Sequence, residues 1–132
     1  MEKIKMMTIE EFTSPNLITA DSEDSLSKVN DLLHSKSVRH LPITTGSKIV
    51  GIISQRDLQA VKKDDFQSLK AKDIMTKDPF TVSSQDLIHE VAFQMSDRKI
   101  GSAIVTHNDE VYGIFTTTDA LNALVEIVRE SI

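Results

Sequence analysis

The sequence predicts a mixed α/β (α+β) fold built from two copies of one strand–helix–strand–strand–helix unit. Three observations predict it. The phrase Gly51-Ile52-Ile53-Ser54-Gln55-Arg56-Asp57 returns 62 positions later as Gly113-Ile114-Phe115-Thr116-Thr117-Thr118-Asp119. Before each phrase, apolar residues follow first a helical period and then two strand-length runs. Each pair of runs is separated by a polar tip of hairpin type. A chain of 132 residues holds one compact unit, or two halves too small to stand apart.

Aligning residues 24–57 with 86–119 needs no gap and leaves six identities: Asp24/Asp86, Val29/Val91, Thr44/Thr106, Gly51/Gly113, Ile52/Ile114 and Asp57/Asp119. The apolar pattern matches better than the letters, as in Leu26/Ile88, Val38/Ile100, Ile43/Val105 and Ile53/Phe115. Upstream, Pro15-Asn16-Leu17-Ile18-Thr19 resembles Pro79-Phe80-Thr81-Val82-Ser83, with two extra residues in the first copy. Each copy therefore opens with a short strand holding Ile18 or Val82. A helix of period 3.6 follows, on Leu26, Val29, Leu32 and Leu33 or on Ile88, Val91, Ala92 and Met95. Asp24 and Ser25 suit the first helix start. Two strands come next, 41–44 with 49–54 and 103–106 with 111–116. Their tips, Thr45-Gly46-Ser47 and His107-Asn108-Asp109, carry turn residues. A second helix follows each phrase, 58–61 in the first copy and 120–129 in the second. The expected division is 12–61, a charged connector 62–72, and 73–125. Neither half buries both faces of a three-stranded sheet alone, so the sheets are expected to pack face to face about a pseudo-two-fold axis.

Composition excludes several classes of function. A net charge of −5 argues against a nucleic-acid surface, which needs a basic stripe. No apolar run approaches a membrane span, and residues 1–12 lack the apolar stretch of a secretory signal. With no cysteine there is no disulfide, thiolate metal site or cysteine nucleophile, which is compatible with a cytoplasmic setting. His34, His40, His89 and His107 show no metal-ligand spacing, and no phosphate loop, nucleophile elbow or dinucleotide fingerprint appears. The chain is expected to be a non-enzyme without a required cofactor or metal.

The repeated phrase has two readings. In one, Ser54 or Thr116 caps the following helix and Asp57 or Asp119 reaches back to the cap's N–H. In the other, Gly51 or Gly113 lets another group approach the strand closely. The hydroxyl and the helix start then favour a nearby phosphate, the carboxylate accepts from both hydroxyls of a ribose, and flanking apolar residues offer a wall to a purine. Both jobs can coexist.

The chain resembles a tandem pair of CBS domains, the Bateman module, from Phe12 to about Val125. The resemblance rests on Pro15…Ile18-Thr19, Val38-Arg39-His40-Leu41-Pro42-Ile43, both phrases, and Asp73-Ile74-Met75-Thr76…Pro79…Thr81-Val82. It is similar to stand-alone bacterial CBS pairs, and its tail from Asp119 to Glu126 is similar to the CBS pair of acetoin-utilisation proteins. The resemblance implies two clefts between the domains for an adenosyl ligand: AMP, ADP, ATP or S-adenosylmethionine. The first cleft would use Ser54 and Asp57 on the ribose, Ile52 against the base, and Arg39 and His40 near the phosphates. Thr76, Phe80 and Ile100 would come from the opposite domain. The second would use Thr116, Asp119 and Ile114, with Gly101 and Ser102 in the places of Arg39 and His40. The other half would lend it Thr13, Leu17, Val38 and Arg39. Arg56, inside the first phrase, adds a second cation there or is simply solvated. The resemblance further implies a homodimer and an unknown protein partner that reads ligand-dependent geometry. The stripe Leu121, Leu124, Val125 and Val128 is a candidate for the dimer contact or for packing within the chain.

Overall fold

The computed structural model of the chain describes residues 2–16 and 18–130. The chain divides into two compact units, Ile18–Pro79 and Met1–Leu17 with Phe80–Ile132. A short helix, α1 (Glu2–Lys5), and a 3-10 turn, Ile9–Phe12, come first. The first-repeat unit then runs β1 (Ala20–Asp21), α2 (Leu26–Ser35), β2 (His40–Thr45), β3 (Lys48–Ser54), α3 (Gln55–Gln59), α4 (Ala71–Ile74) and β4 (Thr76–Lys77). Its sheet has the order β1-β2-β3-β4, with β1 parallel to β2 and the other pairs antiparallel. The second-repeat unit adds β5 (Thr81–Ser83), α5 (Ile88–Arg98), β6 (Ser102–His107), β7 (Glu110–Thr116) and α6 (Thr117–Glu130), with sheet order β5-β6-β7. Among the described residues no helix is long and apolar enough to cross a membrane.

The two cores repeat at the 62-residue offset. Leu26, Val29, Leu33 and Ile43 in one stand where Ile88, Val91, Met95 and Val105 stand in the other. One exchange of volume is instructive. Leu41 faces Ile53 across β2 and β3, whereas Ala103 faces Phe115 across β6 and β7. The side chain lost on one strand is regained directly opposite, which keeps the core filled.

Helices α2 and α5 end in the same way. The Val38 N–H donates to the Leu33 carbonyl at 3.1 Å and the Ile100 N–H to the Met95 carbonyl at 3.0 Å. Ser37 and Lys99 take the left-handed position, φ 54° and 57°, where glycine is usual. Val38 and Ile100 then pack onto the cores, and the next residues, Arg39 and Gly101, emerge exposed.

The offset of 62 also holds upstream, without the two extra residues expected there. Ala20 pairs with Ile43 as Val82 pairs with Val105. The residue matching Val82 is therefore Ala20, and Ile18 precedes the strand. The Ile104 N–H donates to the Phe80 carbonyl at 2.8 Å. The corresponding residue of β2 is Pro42, which has no N–H to give, so β1 begins later in its repeat than β5.

The linking segments obey the same offset. The Ile9 N–H donates to the Asp86 carbonyl at 2.7 Å, and the Ala71 N–H to the Asp24 carbonyl at 2.8 Å. Thr8 bridges Leu87 as Lys70 bridges Ser25, and Pro15 bridges Gly113 as Lys77 pairs with Gly51. The segment ahead of the first repeat is thus built into the second-repeat unit, and residues 71–77, largely beyond the expected connector 62–72, supply α4 and β4 to the first. Both contacts pass close over a glycine. A Cβ on Gly113 would lie 2.5 Å from the Ser14 carbonyl oxygen, and one on Gly51 2.7 Å from Met75 Cγ.

Two outcomes follow from this packing. Gly113→Ala is expected to lower stability by about 1–3 kcal/mol in urea denaturation, because a backbone carbonyl cannot step aside. Gly51→Ala is expected to cost less, because the Met75 side chain can turn. The connector is also tied by charge, with Glu23 Oε2 and Oε1 at 2.6 Å and 2.8 Å from Lys70 and Lys72 Nζ. Lys70 first, then Lys72, lowers the Glu23 carboxyl from 4.5 to about 2. A depressed carboxyl stabilises above its unfolded value, so this contribution is complete above pH 4.5 and lost as pH falls toward 2. Urea midpoints of the parent and Glu23→Gln should therefore converge across that window, and added salt should narrow their difference at neutral pH.

Candidate functional site

Each phrase crosses from a strand into a helix, and the sheet register decides what stands beside it. His40 pairs with Ser54 at the end of the β2–β3 ladder, and Ser102 pairs with Thr116 at the end of β6–β7. The Gln55 N–H donates to the Arg39 carbonyl at 2.8 Å, and the Thr117 N–H to the Gly101 carbonyl at 3.0 Å. The residue pairs 39–40 and 101–102 are thereby fixed against the two phrases.

The capping boxes form in both copies. The Ser54 N–H donates to Asp57 Oδ2 at 2.8 Å, and the Asp57 N–H to Ser54 Oγ at 3.1 Å. The Thr116 N–H and hydroxyl donate to Asp119 Oδ2 at 2.8 Å and 3.0 Å, and the Asp119 N–H donates to Thr116 Oγ1 at 3.2 Å. Only one carboxylate oxygen of each aspartate is used. Oδ1 of Asp57 and Oδ1 of Asp119 have no partner among the described residues. Both side chains are half-buried. The close approach permitted by each glycine is made by the chain itself, through Met75 at Gly51 and Thr13–Ser14 at Gly113. A ligand expected against that glycine finds the space filled.

Around the first phrase, Arg39, His40, Ser54, Gln55, Arg56 and Gln59 line one open depression of about 450 Å³, within the size range of small-molecule sites. Arg39 and Arg56 are exposed. Among the described residues no carboxylate pairs with either guanidinium. Ile52 lies half-buried on β3 and pairs with Thr76 on β4, so these two share one edge of the same unit. Val38 packs onto the core below Arg39.

Around the second phrase, Asp119 shares a groove of about 350 Å³ with Glu11, Thr13, Asn122 and Glu126. Thr13 is buried, and its hydroxyl donates to the Ile9 carbonyl at 2.8 Å. Ile114 is half-buried on β7 opposite Ile104. Ile100 and Gly101 line a different hollow, with Ala92, Ser96, Thr117 and Ala120. The Phe80 ring lies under the Arg98 guanidinium, 5.0 Å from its centroid, in cation–π contact. Leu17 lies outside the described residues. Sequence reasoning missed Glu11 and Glu126. Glu126 was legible as two helical turns beyond Asp119 on the same face. Glu11 was not, because only the fold brings the upstream segment to this groove. The two phrases thus stand in opposite fields, two guanidiniums at the first and two additional carboxylates at the second.

Comparison with known proteins places this arrangement. The family model described as CBS domain matches residues 9–63 and again 71–126. Among curated relatives, inosine-5'-monophosphate dehydrogenase of Korarchaeum cryptofilum is 34% identical over 83% of this chain, which spans 23% of that protein's length. Among solved structures, a putative acetoin utilization protein from Vibrio cholerae is 27% identical with a TM-score of 0.77, covering 94% of each chain. The CBS domain pair of protein MJ0100, in complex with 5'-methylthioadenosine and S-adenosyl-L-methionine, is 27% identical with a TM-score of 0.78, covering 92% of this chain and 98% of that one. CBSX2 in complex with AMP is 26% identical with a TM-score of 0.75, with the same coverage.

Removing a reach-back carboxylate tests the caps. Asp57→Ala and Asp119→Ala should each lower stability by about 0.5–2 kcal/mol in chemical denaturation. The matching asparagine variants keep an acceptor oxygen and should lose less.

Proposed function

The chain belongs to the CBS-domain family, and from that membership we propose that it is a regulatory module that senses an adenosyl ligand and signals to a protein partner. The ligand class is AMP, ADP, ATP or S-adenosylmethionine. The observation that carries this reading is the unspent oxygen of each phrase aspartate. The carboxylate caps its helix with one oxygen and keeps the other for a ribose hydroxyl. Solved relatives hold AMP, 5'-methylthioadenosine and S-adenosylmethionine, which supports the class.

The two phrases are proposed to differ in preference. Arg39 and Arg56, unpaired within the described residues, suit a phosphorylated nucleotide at the first phrase. Glu11 and Glu126 beside Asp119 disfavour phosphate at the second and leave it to an uncharged or cationic adenosyl compound. A ligand moves the partner's equilibrium only as far as it binds two conformations unequally. The working form is proposed to be a homodimer in the cytoplasm, where adenosine nucleotides are abundant. A second reading is a dimeric interaction scaffold with empty sites. The fully formed capping boxes favour it, since they give the hydroxyls and carboxylates a structural role without any ligand.

Calorimetric titration of nucleotide-stripped protein with AMP, ADP, ATP, adenosine and S-adenosylmethionine separates the readings. Saturable binding of one of them, lost in Asp57→Asn or Asp119→Asn while stability is retained, is the expected result. The double variant Arg39→Gln/Arg56→Gln should weaken a phosphorylated ligand at least about tenfold, the scale of a lost charge-assisted hydrogen bond, and leave adenosine unchanged. No saturable heat from any of the five at two temperatures would favour the scaffold.

A further inference from the structure

A track of hydrogen-bond donors leads away from the first phrase. Arg39, Ser54, Gln55, Arg56 and Gln59 line its depression. Gln55 and Gln59 stand one turn apart on the same face of α3. Both also border the adjoining hollow, where Lys63 stands beside the apolar Leu58, Val61 and Phe66. The two spaces therefore share a pair of amides. Gln55, Arg56, Gln59 and Lys63 are exposed. Among the described residues no carboxylate pairs with Arg39, Arg56 or Lys63, and no residue bordering either space is an acid.

The charge and the spacing exceed what one phosphate uses. A phosphate monoester carries up to about two negative charges at neutral pH, on three acceptor oxygens. Arg39 and Arg56 already balance that charge, and one guanidinium fork meets two oxygens at once. Lys63 lies beyond them, and Gln59 is about 6 Å along the helix axis from Gln55. A single phosphate held at Ser54 leaves both to water. A chain of two or three phosphates carries more charge and has the length to continue along the amides toward the lysine, which acts on phosphate as a point charge.

The second repeat has no such track. At the 62-residue offset Arg39, Gln55, Arg56, Gln59 and Lys63 correspond to Gly101, Thr117, Thr118, Leu121 and Val125. None of these carries a cation or an amide, and Leu121 and Val125 present exposed apolar side chains instead.

We propose that the first phrase reads the number of phosphates, taking a nucleoside di- or triphosphate over the monophosphate, with Gln59 and Lys63 as the residues that meet the added phosphates. The inference rests on the adenosyl reading of the first phrase and narrows it.

Calorimetric titration with AMP, ADP and ATP in EDTA, which keeps the phosphates free of metal, tests it. ADP and ATP should each bind at least about tenfold more tightly than AMP, the scale of one further hydrogen bond to a charged group. The double variant Gln59→Ala/Lys63→Ala should bring ATP and AMP to nearly equal affinity. Both positions are exposed, so its circular dichroism spectrum and urea midpoint should match the parent's. Lys48→Ala, at the far end of the β2–β3 hairpin, should keep the preference for ATP. AMP binding as tightly as ATP in the parent overturns the phosphate count and leaves the adenosyl reading standing. A preference that the double variant keeps, or that Lys48→Ala loses equally, overturns the track and assigns the preference to overall charge. No saturable binding of any of the three overturns the adenosyl reading and the inference with it.

Discussion

The contact of each linking segment with the last long strand of a sheet is the constraint on which both phrase sites rest. Lys77 lies beside Gly51 and Pro15 beside Gly113, and a Cβ on either glycine would meet the seated segment, the Met75 side chain in one unit and the Ser14 carbonyl in the other. Once the segment is seated, it completes the edge next to Ile52 in one unit and brings Thr13 and Glu11 to the groove of Asp119 in the other. The glycine of the repeated phrase is therefore an architectural residue, and its chemistry-bearing companions are the hydroxyl and the carboxylate. This divides the phrase into a part that holds the unit together and a part with capacity to spare.

That spare capacity is the same in both repeats, and the surroundings are not. The register that fixes residues 39–40 against the first phrase also fixes 101–102 against the second, but it delivers a guanidinium in one case and a glycine in the other. Duplication has preserved the backbone frame and left the electrostatics free to diverge. The same holds at particular exposed positions of the helix faces, where Gln59 and Lys63 in one repeat answer to Leu121 and Val125 in the other. A repeated frame with unlike decorations keeps one backbone geometry while its two copies differ in charge and in exposed apolar surface.

The pattern of the fold was legible where period and turn chemistry agree. Both long helices, both hairpins and the two phrases follow from apolar spacing at 3.6 or 2 residues and from Gly46 or Asn108-Asp109 at the tips, all three at positive φ. The segments upstream were legible only in outline. Pro15 and Pro79 look equivalent as letters, but hydrogen bonding equates Pro15 with Lys77, and Ala20 rather than Ile18 with Val82. Backbone N–H groups make those contacts, and backbone groups leave no signature in side-chain identity. The same limit hid Glu11, whose neighbourhood depends on which sheet its segment joins. The shortness of β1 was readable in principle from Pro42, since a missing donor is a property of the residue itself.

The exchange of linking segments also sets a timetable for synthesis. The first-repeat unit is drawn from one continuous stretch, Ile18–Pro79, and every residue it needs has been made once the connector is complete. The second-repeat unit has no such independence. Ile9 and Pro15 find their partners only when Asp86 and Gly113 exist, so at ordinary translation speeds of about 5–20 residues per second the early segment waits several seconds with its apolar residues uncovered. Ile9, fully buried in the finished core, is the most exposed to that delay. The first repeat can therefore fold while the second is still being made, and the segment ahead of it stays uncovered until its own partners follow.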